Sequence, residues 1–184
     1  MKIFENSCVF DYPWQQVSAA HWRKYPNEKA DHVVAVDTLR REYDAETGTL
    51  RIERLITCRQ AAPRWIVKLV GGTEDSYVRE VSEVNLHTKT LTLLSTNLTF
   101  SNIMSVQETV QYTPHPQAPG KRTLFRQDAK ITAYGALSRF ANNAMENFTI
   151  DRFKQNALRG RAGFETVLDN FFNHGEKNSP RADV

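Results

Sequence analysis

Long hydrophobic runs, abundant cysteine and a dominant charge sign are all missing from these 184 residues. No stretch approaches the ~18 apolar residues of a membrane-spanning helix. Only Cys8 and Cys58 are present, so no disulfide framework exists, and two reduced thiols are expected. The formal net charge of +3, from 24 basic and 21 acidic residues, is too small to indicate nucleic acid. No basic cluster adjoins a recognised nucleic-acid-binding module, so no nucleic-acid partner is expected. Eight glycines and seven prolines beside 40% hydrophobic residues exclude collagen-like and disordered classes. His21, His32, His87, His115 and His174 show no metal-ligand spacing, and neither cysteine belongs to a Cys-x-x-Cys pair. A Gly-x-Ser-x-Gly elbow, a P-loop and a dinucleotide fingerprint are absent. Cys58, His32 and Asp37 could be assembled into a constellation, but any chain of this size allows that. The expectation is a protein that is not an enzyme and uses no metal or cofactor.

The opening stretch MKIFENSCVFDYPW has an early Glu5 and no apolar core of seven or more, so it does not read as a secretory signal. It also lacks the arginine and serine of a mitochondrial presequence. Asn97-Leu98-Thr99 matches a glycosylation acceptor but reads as plain strand sequence in that setting.

What is present is periodicity. Strand signals run over Lys2–Phe10, Val33–Arg41, Leu50–Cys58, Ser76–Val84, Thr90–Leu98, Met104–Tyr112 and Thr123–Tyr134. In the last, Phe125, Gln127, Ala129, Ile131 and Ala133 share one face. Asp44-Ala45-Glu46-Thr47-Gly48 joins the second and third strands as a turn. Pro13 opens a short helix to Lys24, because proline is tolerated at the first helical position. From Ser138 to His174 the period changes to about 3.6. Phe140, Ala144, Met145, Phe148, Phe153, Ala157, Phe164, Val167, Leu168, Phe171 and Phe172 trace one apolar stripe. Gly160 and Gly163 invite a bend. The reading is an α+β fold. A curved antiparallel sheet of about seven strands grips a long C-terminal helix, with a short helix after strand one. Residues 1–174 form a single domain and 175–184 a polar, frayed tail.

Two stretches could carry chemistry. The connection from Cys58 to Gly72 is long for a hairpin and rich in apolar side chains, including Ala62, Pro63, Trp65, Ile66, Leu69 and Val70. Between Arg54 and Thr73 it has no acid but carries Arg54, Arg59, Arg64 and Lys68. Apolar insertion beside cations suits an anionic membrane surface. A packed satellite cluster under the loop is the competing reading. The second stretch is on the long helix, where Arg152, Lys154, Arg159 and Arg161 cluster. Arg152, Asn156 and Arg159 share a face bordered by Phe148 and Phe153. Two guanidiniums and an amide beside apolar groups suit a phosphate ester with greasy tails, against the alternative of a solvated helix face.

Several segments resemble the PRELI/slowmo family. They include Val9-Phe10-Asp11-Tyr12-Pro13-Trp14, Lys24-Tyr25-Pro26-Asn27, Val36-Asp37 and Arg54-Leu55-Ile56. Val78-Arg79-Glu80-Val81-Ser82, Ser95-Thr96-Asn97-Leu98-Thr99 and Tyr112-Thr113-Pro114-His115-Pro116 extend the likeness to nearly the whole chain. The chain looks closest to the slowmo branch and its fungal Ups relatives. The resemblance implies a carrier in the mitochondrial intermembrane space, stabilised as a heterodimer by a small helical twin-cysteine partner. Its phospholipid ligand would be anionic, with phosphatidylserine favoured over phosphatidic acid, and would be moved between outer and inner membranes. A membrane-docking adaptor that transfers nothing is the alternative. The family's head-group positions fall on Lys24, His32, Arg152, Asn156 and Arg159, and its lid over the lipid cavity falls on Cys58 to Gly72. Phosphatidic-acid members carry lysines near the lid where this chain has Cys58 and Ala61.

Overall fold

The computed structural model describes residues 1–59, 75–134 and 139–173. Seven strands form one antiparallel sheet in the order β1-β7-β6-β5-β4-β3-β2. They are β1 Lys2–Phe10, β2 Val33–Asp44, β3 Thr49–Arg59, β4 Asp75–Asn85, β5 Thr90–Asn97, β6 Met104–Pro114 and β7 Thr123–Ala133. Consecutive strands β2 to β7 pair as a meander. The first strand returns to pair with the last, in a register running from Lys2 opposite Ile131 to Phe10 opposite Thr123. The turn between β2 and β3 is built by Asp44, whose carboxylate accepts from the Glu46 backbone N–H and the Thr47 hydroxyl. Gly48 closes that turn at φ +63°, a left-handed conformation that favours glycine. The alternation expected for β7 holds: Ala129 and Ile131 are buried, while Arg126, Asp128 and Lys130 are exposed.

Helix α1 spans Trp14–His21 and stops three residues before the expected Lys24. The Arg23 and Lys24 N–H groups bond the carbonyls of Ala20 and His21, so the chain tightens into three-residue turns there. A short 3-10 turn, Glu28–Ala30, follows under an Asn27 cap whose side chain accepts from the Lys29 N–H. Helix α2 runs uninterrupted over Arg139–Phe172, about 51 Å at 1.5 Å per residue, and passes through both glycines. Gly163 has a packing role: a Cβ there would stand 2.8 Å from Asn27 Oδ1. Lys29 Nζ donates to the Ala162 carbonyl at 3.3 Å and to Thr166 Oγ1 at 3.1 Å. The loop after α1 is thereby tied to the helix.

The apolar stripe of α2 is divided in use. Phe164 and Leu168 enter a core with Phe10, Trp14, Val17, Leu91, Leu93 and Tyr112. Trp14 Nε1 donates to the Tyr112 carbonyl at 3.0 Å, which anchors α1 to β6. Phe140 and Phe171, expected on the stripe, are instead 85% and 47% exposed. The first fully buried residues of α2 are Met145 and Glu146, so the turn carrying Phe140 stands off the sheet. At the far end the Arg23 guanidinium covers the Phe171 ring at 5.7 Å. The tail 175–184 lies outside the described residues.

Candidate functional site

Before Phe164, α2 meets the sheet through Phe153 against Phe4 and through Glu146, which accepts from the Ala133 N–H, but it leaves a space over the strands between. That space is a cavity of about 400 Å³. Leu93, Val110 and Phe125 line its sheet side, and Phe148, Phe153 and Phe164 its helix side. Most of its wall is therefore hydrocarbon, which water wets poorly and an acyl chain replaces at a gain of ~0.8 kcal/mol per methylene. Lys24, His32, Arg152 and Asn156 all line this one cavity. The tied loop after α1 delivers the first two, and the helix delivers the other two. Arg159 is exposed and outside the lining, though its charge reaches His32. The Arg152 guanidinium sits 5.0 Å over the Phe148 ring.

Burial acts to lower the Lys24 pKa, but Tyr25, Tyr112 and the carboxylates of Glu108 and Glu80 outweigh it, so the ammonium holds its proton firmly. His32 is pushed down, mainly by burial, with the charges of Lys24 and Arg159 adding to it and Asp31 opposing. It stands neutral at pH 7, and its Nδ1 is buried with no hydrogen-bond partner among the described residues. Cys58 also lines the cavity, and burial, with the Glu108 charge adding, pushes its thiol up to about 11. Both cysteines are free, so this position supplies neither a charge nor a bridge.

A polar row crosses the concave face beneath these groups. Arg54 on β3 pairs in register with Glu80 on β4, Glu80 with Ser95 on β5, and Ser95 with Glu108 on β6. Gln127 on β7 extends the row and faces Asn6 on β1. Arg54 and Glu80 are buried, and one Glu80 oxygen accepts Arg54 Nε at 2.9 Å, Arg54 Nη2 at 2.5 Å and Ser82 Oγ at 2.9 Å. Arg54 Nη2 also lies 3.2 Å from His21 Nε2. Because a guanidinium can only donate, that nitrogen accepts and the His21 proton sits on Nδ1. Burial first, then the charges of Arg54 and Lys24, hold His21 well below the ordinary histidine range.

The sequence analysis does not single out this row; Arg161, which it places in the basic cluster but not among the head-group positions, lines the cavity while bonding Glu165 at 2.9 Å. A signal existed for the row. Arg54 lies between Ile52 and Ile56, Glu80 between Val78 and Ser82, and Glu108 between Val106 and Val110. A charge on the apolar face of an alternating strand is the anomaly to look for. Arg59, expected at the membrane, ends β3 with its guanidinium forked onto Asp75 at 2.6 and 3.0 Å. Ala62, Pro63, Arg64, Trp65, Ile66, Lys68, Leu69 and Val70 lie outside the described residues.

Comparison with known proteins agrees with this architecture. A START superfamily protein from Mycobacterium smegmatis superposes with a TM-score of 0.53 at 8% identity, covering 90% of this chain and 98% of its own, a likeness of fold alone. The mitochondrial protein UPS2 of Saccharomyces cerevisiae is 51% identical over 178 residues, 97% of this chain and 77% of that protein. A UPS-like protein of Schizosaccharomyces pombe is 53% identical over 169 residues, 92% of this chain and 90% of its own. A slowmo homolog from Dictyostelium discoideum is 33% identical over 171 residues, 91% of this chain and 72% of its own. The sequence model of the PRELI-like family matches residues 15–174, and with two relatives above half identity over nearly the full length, the chain belongs to the PRELI-like family.

Proposed function

We propose that this protein is a lipid carrier of the mitochondrial intermembrane space. It extracts an anionic glycerophospholipid, phosphatidylserine above others, and moves it between outer and inner membranes in complex with a small helical twin-cysteine protein. The observation that carries this reading is a single cavity with apolar walls into which Lys24, His32, Arg152 and Asn156 converge. Moving two acyl chains of ~16 methylenes each through water would cost roughly 25 kcal/mol, and hydrocarbon walls return that energy. The phosphate needs a replacement for its hydration. Lys24 and Arg152 supply charge, Asn156 an amide donor, and neutral His32 a ring nitrogen of either role. No bond is made or broken, so the steps are extraction, enclosure and release. The family match and the mitochondrial UPS2 relative support a mitochondrial setting and lipid transfer as the activity. Cys58 and Ala61 stand where phosphatidic-acid members of the family carry lysines, which favours a head group larger than a bare phosphate.

A fluorescent-lipid assay between donor and acceptor liposomes tests the reading. The wild-type protein transfers phosphatidylserine, and Arg152→Glu, which sets a repulsive charge against the phosphate, reduces transfer at least tenfold while vesicle binding persists. Normal transfer by Arg152→Glu would remove this cavity from the function. Vesicle binding without transfer by the wild-type protein would make it an adaptor.

A further inference from the structure

Two carboxylates face a cavity assigned to an anionic ligand, and among the described residues only Glu80 is held in an ion pair, while the Lys24 charge reaches Glu108 from a longer distance. Glu80 is held by Arg54 and Ser82. Glu108 forms no ion pair among the described residues, and its carboxylate has one hydrogen bond, from Gln127 Nε2 at 2.6 Å. The Gln127 oxygen in turn accepts from Asn6 Nδ2 at 3.3 Å, which fixes the amide with its N–H side toward Glu108. An amide chain reaching back to the edge strand thus orients the carboxylate without cancelling its charge. Lys24, Arg152, Asn156 and Glu108 line the same cavity. Such a set is poorly matched to a ligand carrying only negative charge, because Glu108 would repel it. It matches a ligand whose anionic groups lie beside a cation.

We propose that Glu108 receives the primary ammonium of the lipid head group, and that this contact separates amine-bearing anionic phospholipids from amine-free ones. The assignment rests on the lipid-carrier reading above. The ammonium of a serine head group would meet the Glu108 oxygen left free by Gln127, while its phosphate and carboxylate face Lys24 and Arg152. A charge-assisted bond of this kind is about twice as strong as a neutral one and cannot form with phosphatidic acid. A purely structural Glu108, buttressing β6 through Gln127, would leave head-group preference untouched.

The test compares three lipids in the liposome assay: phosphatidylserine, N-acetyl-phosphatidylserine, which lacks the ammonium, and phosphatidic acid. Wild-type protein should move phosphatidylserine at least tenfold faster than its N-acetyl form. Glu108→Gln, which keeps the shape and the bond to Gln127, should bring that ratio near one and raise phosphatidic-acid transfer. Glu108→Asp keeps the charge and should retain part of the preference, so it decides the matter should the glutamine variant fail to fold. A wild-type ratio near one, or a tenfold ratio that survives Glu108→Gln, would overturn the assignment and leave the carrier reading standing. No transfer of any of the three lipids would overturn both.

Discussion

Replacing Glu80 by Gln should destabilise the protein by about 3 kcal/mol although the side chain keeps its shape. Arg54 and Glu80 are 6% and 7% exposed, so neither can turn to water. The guanidinium lies 5.3 Å over the Trp22 ring and against His21 Nε2, and both surround it without offering negative charge. Glutamine removes the counter-charge and leaves a cation in a dry site, a change that costs about 3–5 kcal/mol in buried pairs. The lower end applies because the amide oxygen can still accept from Arg54. For 184 residues the unfolding entropy is about 0.39 kcal/mol/K, so the melting temperature should fall by about 8 °C.

Arg54→Met should cost a similar amount, since it strands the carboxylate. The double variant removes both charges together and should lie within about 1 kcal/mol of wild type, giving a coupling energy of about 5 kcal/mol. Urea unfolding of all four proteins at pH 7, followed by far-ultraviolet circular dichroism, measures the cycle. Additive single effects, or a loss below 1 kcal/mol for Glu80→Gln, would refute the reasoning.

Two further perturbations test the same frame. His21 titrates below its free value of 6.5 in the folded state, so the unfolded chain takes the proton first; its contribution is complete above that pH and drains as pH falls. Stability should therefore decline as pH falls from 7 to 5, and His21→Gln should flatten this part of the stability curve in urea titrations at several pH values. Gly160→Ala meets nothing within 4 Å and should stabilise α2 by ~1 kcal/mol. Gly163→Ala sets its methyl against the Asn27 cap and should not stabilise; matched gains in melting temperature for both glycine variants would discount the close approach.

Much of the fold is legible in the sequence because it is written locally. Strand β1 has the same bounds, Lys2–Phe10, from its apolar content as from the structure, and α2, Arg139–Phe172, falls within the expected span of Ser138 to His174, whose two end residues lie outside the described residues. What failed was set by contacts distant in sequence. Phe140 fits the helical stripe perfectly well, yet nothing in the helix says where the sheet ends. The end of α1 at His21 follows from two backbone bonds that periodicity does not encode. Of the five head-group positions that the family resemblance implies, Lys24, His32, Arg152 and Asn156 line one cavity, whereas Arg159, on the same helical arc as Arg152 and Asn156, lies outside its wall.

The polar row shows why the remainder was harder. Three strands each place one charge on an apolar face, and that anomaly is visible residue by residue: Arg54, Glu80 and Glu108. Which charges meet depends on register, and a slip of one residue would turn any of them to the opposite face. Register here is fixed by turns whose lengths differ and by edge strand β2, which carries two shifts in its own pairing. Only with the strands aligned does Arg54 fall opposite Glu80, leaving Glu108 across Ser95 without an ion-pair partner among the described residues. A sheet built for stability alone would gain by replacing that carboxylate with a hydrocarbon, since burial already pushes its pKa upward. Its place between an orienting amide and an open cavity fits a cationic group entering that cavity, as proposed above.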